Sequence, residues 1–402
     1  MNHITPQDEN ELVDAVRGAA KARRQVELVS AGTKRNLGRP IEADDIVDLS
    51  KLSGIVNYEP DELIFTVMAG TPLVQAMAAL KENRQMLAFS PVDWAGLYGK
   101  EPGNATLGGV VAANACGSRR IKSGAVRDHL IGCKFVNGAG EAIKAGGRVV
   151  KNVTGFDLPK IMCGAFGTLG ALTELTFRVV PAPERASTIA LRNCTPSEGL
   201  TMLRKAASLA LEPTGLAYLP AAVCRESPAM IDAALAQTNG VALIRVEGAA
   251  DPIIDKLARL RNVFSKQDIV TLEDDVGDAL FGEIGCGTPF AERDTDIWRL
   301  SVPATSVYDA VSESEAQFWY ADWAGEVLWL ALPASPDIDE RLRKITAKFG
   351  GHAMLFRADK NARARLATFE PEPPARAALS RAVKAAFDPL RILNPGRMYE
   401  EL

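Results

Sequence analysis

The chain has 402 residues, 47% hydrophobic and 24% charged, with a formal net charge of -4. That length favours two or more domains with sizeable cores. That charge gives no electrostatic case for nucleic acid or acidic membrane surfaces. The six cysteines (Cys116, Cys133, Cys163, Cys194, Cys224 and Cys286) are scattered, with no Cys-x-x-Cys, and the three histidines (His3, His129 and His352) form no paired motif. These spacings argue against an iron–sulfur or zinc centre in this chain and read as buried reduced thiols.

The first ten residues are polar and acidic, unlike a secretory signal. No uncharged apolar run approaches the ~18 residues of a membrane helix, so a cytoplasmic location is expected. A helix opens the chain, with Thr5 as its cap, Pro6 in its first turn, and Leu12, Val13, Val16 and Ala20 at helical spacing. Val26 to Val29 reads as a buried strand running into the polar loop Ser30–Gly38. Short strands follow at Asp45 to Leu49, Gly54 to Tyr58 and Leu63 to Met68, then a helix from Thr71-Pro72 that carries Leu73, Met77 and Leu80. Val126 to Val136 and Glu141 to Lys144 flank the turn Asn137-Gly138-Ala139-Gly140 as a hairpin.

Glycine is unevenly spread: residues 1 to 182 hold 21 of the 33. The change falls near Val180-Pro181-Ala182-Pro183, where prolines end an apolar strand, and we place a domain boundary there. Beyond it, strands at Val241 to Val246, Trp298 to Val302, Val327 to Leu332 and Ala353 to Arg357 alternate with helices at Glu198 to Leu211, Pro252 to Phe264 and Ile338 to Phe349. An antiparallel sheet covered by helices is the α+β arrangement this predicts. The last helix, Ala375 to Phe387, leads into Asp388-Pro389 and the closing Asn394-Pro395-Gly396-Arg397. The predicted division is therefore residues 1–182, 183–374 and 375–402.

Four glycine-containing stretches in the first part carry the functional signal. They are the Ser30–Gly38 loop, Gly103 to Gly109 with Asn114 and Gly117, Lys151 to Leu158, and Gly164 to Glu174. Each on its own is an ordinary turn. Together, with Thr and Asn interleaved as uncharged donors, they suit one extended ligand held by main chain. The first loop is neither a Gly-x-Gly-x-x-Gly fingerprint nor a Walker loop.

The ordered set Ala-Gly-Thr, Thr-Leu-Gly-Gly, Val126-Arg127-Asp128-His129, Lys-Asn-Val-Thr-Gly-Phe-Asp-Leu and Gly-Thr-Leu-Gly resembles the FAD-binding domain of the p-cresol methylhydroxylase type. With the ending Phe387-Asp388-Pro389 and Asn394-Pro395-Gly396-Arg397-Met398-Tyr399, the whole chain is similar to the FAD-binding subunits of bacterial glycolate oxidases. The resemblance implies an α+β chain: a two-subdomain FAD-binding domain and an α+β cap domain with an antiparallel sheet. The C-terminal helix and tail would return toward the FAD domain. Ala31, Gly32, Thr33, Lys34 and Arg35 would meet the pyrophosphate. Thr106, Leu107, Gly108, Gly109, Asn114 and Gly117 would lie along pyrophosphate and flavin. Gly124 and Val126 would sit near the ring, and Gly167, Thr168 and Leu172 toward the adenine end. The first loop has no histidine, the residue through which some relatives attach FAD, so non-covalent FAD is expected.

Oxidising a 2-hydroxy acid on FAD needs a base for the hydroxyl proton and a cation for the carboxylate, for which arginine is suited. The His-rich metal motif of related dehydrogenases is missing here, and no metal is expected. His352 is the candidate base, with a structural histidine at a strand start as the alternative. Arg299 and Arg357 are the candidate cations, with Arg397 similar, and His129 reads as a hairpin residue. The resemblance further implies a larger FAD-containing subunit and an iron–sulfur subunit as partners, through which the chain would reach the inner membrane. A self-sufficient dehydrogenase of another hydroxy acid or alcohol, a non-catalytic flavin-holding subunit, and a non-flavin binding protein are the competing readings.

Overall fold

The computed structural model describes residues 1–147 and 157–402, so most of the third glycine-containing stretch, Lys151 to Phe156, lies outside the described residues. The chain divides into two compact units. One comprises Met1–Cys116, Ala125–Ala182 and Pro371–Leu402, and the other Gly117–Gly124 and Pro183–Glu370.

The first unit holds two principal sheets. A parallel three-stranded sheet has the order Asn2–Ile4, Asp45–Asp48, Val26–Val29. An antiparallel five-stranded sheet has the order Ile55–Glu59, Ile64–Met68, Ala171–Arg178, Leu130–Val136, Ala142–Gly146. The helix Glu9–Ala22 buries Leu12, Val13 and Val16. Each such side chain contributes roughly 1.5–3 kcal/mol relative to exposure. Its cap is Asp8 and not Thr5, because the Asp8 carboxylate accepts the Glu11 amide at 2.9 Å and a carboxylate complements a helix start. Val126–His129 is a helical turn where a strand was expected, since Asp128 takes the Ala125 N–H at 2.8 Å and bends the chain before the strand Leu130–Val136.

The tail completes this unit. Leu393 pairs in parallel with Val26, and the amides of Val26 and Asn394 donate to the carbonyls of Ile392 and Val26 at 2.7 and 2.9 Å. Ile392 and Leu393 thereby enter the same core as Leu12, Val16, Val47 and Ala171.

The second unit is an antiparallel sheet of eight strands, in the order Asp268–Leu272, Arg185–Arg192, Gly240–Gly248, Gly215–Pro220, Phe318–Asp322, Val327–Leu332, Asp296–Ser301, His352–Arg357. One face carries Ile189, Ile244, Trp298, Leu300, Leu330 and Leu355 in a core shared with residues of the helices Pro196–Ser208, Ala250–Val263, Val307–Ser314 and Ile338–Lys348. The other carries an aromatic cluster of Tyr320, Trp329 and Phe356 with Phe290. Gly215–Pro220 and Phe318–Asp322 escape the sequence reading because they are buried nearly throughout, which removes the period-two alternation that marks a half-exposed strand. Among the described residues no helix is long and apolar enough to cross a membrane.

Candidate functional site

In the first unit an open cleft gathers three of the glycine-containing stretches and the tail. Ala31, Gly32, Thr33, Lys34 and Arg35 line it from the first loop, and Thr106, Gly108 and Gly109 from the second stretch. Phe166, Gly167, Gly170 and Leu172 come from the fourth, and Asn394 and Arg397 from the tail.

Backbone is presented to the cleft for identifiable reasons. Gly32 has φ +69°, and nothing lies within 4 Å of where a Cβ would stand, so its main chain faces open space. A Cβ on Gly108 would stand 2.7 Å from the Ala69 carbonyl, whose oxygen accepts the Gly108 amide at 2.7 Å. Only glycine allows the two segments to approach this closely. Thr106 accepts the Gly109 amide at 3.3 Å and opens the short helix Leu107–Ala112.

Cations are held around this backbone. Glu27 is buried and takes Arg35 Nε at 2.8 Å and Nη2 at 2.5 Å. This hydrogen bonding raises the Arg35 guanidinium above its ordinary value, so its charge is fixed in place at the loop. Arg397 donates to the carbonyls of Arg35 at 2.8 Å and Arg39 at 3.3 Å, tying the second half of the loop to the tail. Ser30 Oγ is buried with no hydrogen-bond partner, a condition normally relieved by a ligand or water. An open cleft of exposed backbone, small side chains, fixed cations and one orphaned hydroxyl fits a dinucleotide such as FAD.

The remaining predicted binding residues lie elsewhere. Leu107 is fully buried and Thr168 is turned to the Ala165 carbonyl. Asn114 has φ +48° and accepts from Arg127 N and Cys163 Sγ, each at 3.4 Å. Val126 is buried at the start of its helical turn. Gly117 and Gly124 belong to the second unit. Sequence reading missed Phe166, Ala112, Ala113 and Asn394 as cleft residues. The Asn-Pro-Gly-Arg ending enters the sequence reading as a family mark and, through Arg397, as a candidate substrate cation, and not as part of the cleft.

The candidate catalytic residues are in the second unit. Arg299 lies 5.3 Å from the Phe356 ring and 5.8 Å from the Trp329 ring, on the aromatic face. Arg357 is committed to the carbonyls of Ala291, Arg293 and Thr295, a clamp on its neighbouring loop. His352 opens its strand and keeps an exposed edge. Partial burial, and then the charge of Arg299, hold its imidazole below the ordinary value, which favours the neutral, proton-accepting form. His129 is in the first unit, 5.7 Å from the Phe89 ring.

Asp322 ends the buried strand Phe318–Asp322 and accepts hydrogen bonds from Ser118 Oγ and Trp323 N, both at 2.7 Å. Burial pushes its carboxyl up to about 7, against the two hydrogen bonds. Between roughly pH 4 and 7 the folded state therefore holds a proton that the unfolded chain releases, so Asp322 makes stability fall as pH rises through that window. Asp322→Asn removes this titration. Its melting temperature relative to wild type is expected to increase from about pH 5 to about pH 8. A difference that stays constant with pH would contradict the assignment.

Comparison with known proteins agrees with the cleft. A family model described as an FAD binding domain matches residues 3–146. The glycolate oxidase subunit GlcE of Escherichia coli (strain K12) is 32% identical over 97% of this chain and 97% of its own. The glycolate oxidase subunit GlcD of Bacillus subtilis (strain 168) is 30% identical over 41% of this chain and 34% of its own. The solved structure of p-cresol methylhydroxylase with substrate bound superposes with a TM-score of 0.75 at 16% identity, over 99% of this chain and 88% of that one. The fold is thus of the p-cresol methylhydroxylase type, and the cofactor is FAD.

Proposed function

The chain belongs to the family of the glycolate oxidase subunit GlcE, an FAD-dependent oxidoreductase acting on CH–OH groups of hydroxy acids, and from that premise we propose that it serves in oxidising glycolate to glyoxylate within a complex. The observation that carries this reading is a cleft lined by the glycine-containing stretches in a chain that matches a glycolate oxidase subunit over 97% of both lengths. Bound FAD would accept the hydride from the hydroxyl-bearing carbon. The protein's own groups have the remaining work. Arg299 would hold the substrate carboxylate by paired N–H donors, and neutral His352 would accept the hydroxyl proton.

The first loop offers no histidine for a covalent link, so the flavin is held by contacts alone. Acid precipitation should therefore leave FAD in the supernatant. Flavin remaining with the pellet would overturn this. The scattered cysteines favour a partner subunit as the carrier of any iron–sulfur relay, and a larger FAD-containing subunit is the other partner proposed. Anaerobic glycolate should bleach the flavin of the assembled complex. If the isolated chain also turns over rapidly with a dye acceptor, the partners are not needed. If glycolate never bleaches its flavin while the complex is active, this chain is a flavin-holding structural subunit.

A further inference from the structure

The second unit contains a segment that is remote in sequence from the rest of it, Gly117–Gly124. Four contacts fix this segment to the sheet end at Asp322-Trp323 and to the strand Gly240–Gly248, two places along the sheet. Ser118 Oγ donates to Asp322 at 2.7 Å, with both residues buried, at 4% and 3% exposure. Trp323 Nε1 donates to the Gly117 carbonyl at 3.3 Å. Arg119 pairs with the buried Glu247. The Arg120 guanidinium lies 4.6 Å from the centre of the Trp323 ring, a distance that suits a cation held on an aromatic face.

Strand register shows what shares that end of the sheet. Asp322 pairs with Val327, Val327 with Ser301, and Ser301 with His352, giving one row across four strands. Two residues further in, Tyr320, Trp329, Arg299 and Met354 form the next row on the same face. Arg299, Ser301 and His352 thus occupy one end of one sheet face, and Arg120 is carried to that end on the ring of the residue following Asp322. The proton affinity of the His352 imidazole is lowered first by burial, then by Arg299, with Glu370 opposing and Arg343 and Arg120 adding less.

We propose that Arg120 is a second carboxylate-binding cation, acting with Arg299 on the substrate, and that Asp322 is a positioning residue that anchors the segment delivering it. This deepens the hydroxy-acid reading above and rests on it. Two guanidinium groups on one small anion select a carboxylate-bearing alcohol over a plain alcohol, because a neutral substrate would leave both cations facing an apolar group. Two backing aromatic surfaces, Trp323 for Arg120 and Trp329 with Phe356 for Arg299, hold the forks in place and limit the freedom lost on binding.

The test uses the full chain loaded with FAD, and the same chain in its complex. Oxalate, a small unreactive carboxylate, is titrated calorimetrically, and flavin bleaching is followed with glycolate and with the matching uncharged alcohol. Arg120→Ala should weaken oxalate binding and raise the glycolate KM by about tenfold to a hundredfold, with a smaller change in kcat. Arg120→Lys should fall between, and the preference for glycolate over the alcohol should shrink. Ser118→Ala and Asp322→Asn should weaken oxalate binding less, and should add nothing in an Arg120→Ala background. A purely structural role for Asp322 would instead lower the melting temperature and weaken binding equally in both backgrounds, overturning its positioning role. Wild-type oxalate affinity in a folded Arg120→Ala protein would overturn the role of Arg120 while leaving the hydroxy-acid reading intact. If the wild-type complex neither binds oxalate nor is bleached by any 2-hydroxy acid, the functional reading fails and this proposal fails with it.

Discussion

Lys384→Met is expected to destabilise the first unit by about 3–5 kcal/mol, the usual cost of removing one partner from a buried ion pair, and to release the flavin. Lys384 is the one buried residue of the helix Pro374–Phe387. Its ammonium donates to the Thr168 carbonyl at 2.8 Å, Asp388 at 2.8 Å and the Leu393 carbonyl at 2.9 Å. Burial lowers its affinity for the proton, and the Asp388 carboxylate works against that. Asp388 in turn accepts the amides of Ile392 and Leu393 at 3.1 and 2.8 Å. Without the ammonium, a fully buried carboxylate loses its counter-charge and two carbonyls lose this donor. The segment they hold is the one that adds Leu393 beside Val26 and brings Asn394 and Arg397 to the cleft. Thermal unfolding and flavin content at purification measure both effects. A folded, yellow Lys384→Met protein with unchanged melting temperature would contradict this account.

Asn394→Ala should raise the dissociation constant for FAD by about fivefold to a hundredfold, corresponding to the ~1–3 kcal/mol lost when one buried polar group is left unpaired. The Asn394 side chain bridges two walls of the cleft. Its Oδ1 accepts the Leu28 amide and its Nδ2 donates to the Phe166 carbonyl, both at 2.7 Å. Alanine leaves both backbone groups unpaired and frees the first loop from the fourth stretch. Asn394→Asp keeps the bond from Leu28 but sets a carboxylate against the Phe166 carbonyl, so it should be no better than alanine. Flavin fluorescence titration of the apoprotein reads these affinities, and equal affinity in Asn394→Ala would show that the tail does not shape the site.

The legible parts of the chain were those whose local sequence carries its own reason. Val26–Val29 is a short β-prone run and Val327–Leu332 an apolar one bounded by Glu326 and Pro333, and both are strands over those residues. Glycine at 32 and 108 marks main chain that must lie open or approach closely, whatever the fold around it. Less legible were strands buried on both faces, such as Phe318–Asp322, and turns set by a single side chain, such as Asp128 capping Ala125. There the deciding interaction comes from a neighbour that periodicity cannot see.

Taken alone, the amino-acid order pointed to one extended ligand held on main chain, its resemblance to an FAD-binding domain said which ligand, and its glycines were concentrated in the first 182 residues. Glycine and small polar residues impose that holding locally, through backbone angles and close approach. Only the tertiary structure decided which residues of distant segments act together. It brought Asn394 and Arg397 onto a loop more than 350 positions earlier, and it committed Arg357 to carbonyls while setting Arg299 on an aromatic face. It also anchored Arg120 beside Trp323 through Ser118 and Asp322. An arginine is the same letter in each of these places. Its role follows from the partners that burial and strand register put within reach, and these are fixed by long-range packing.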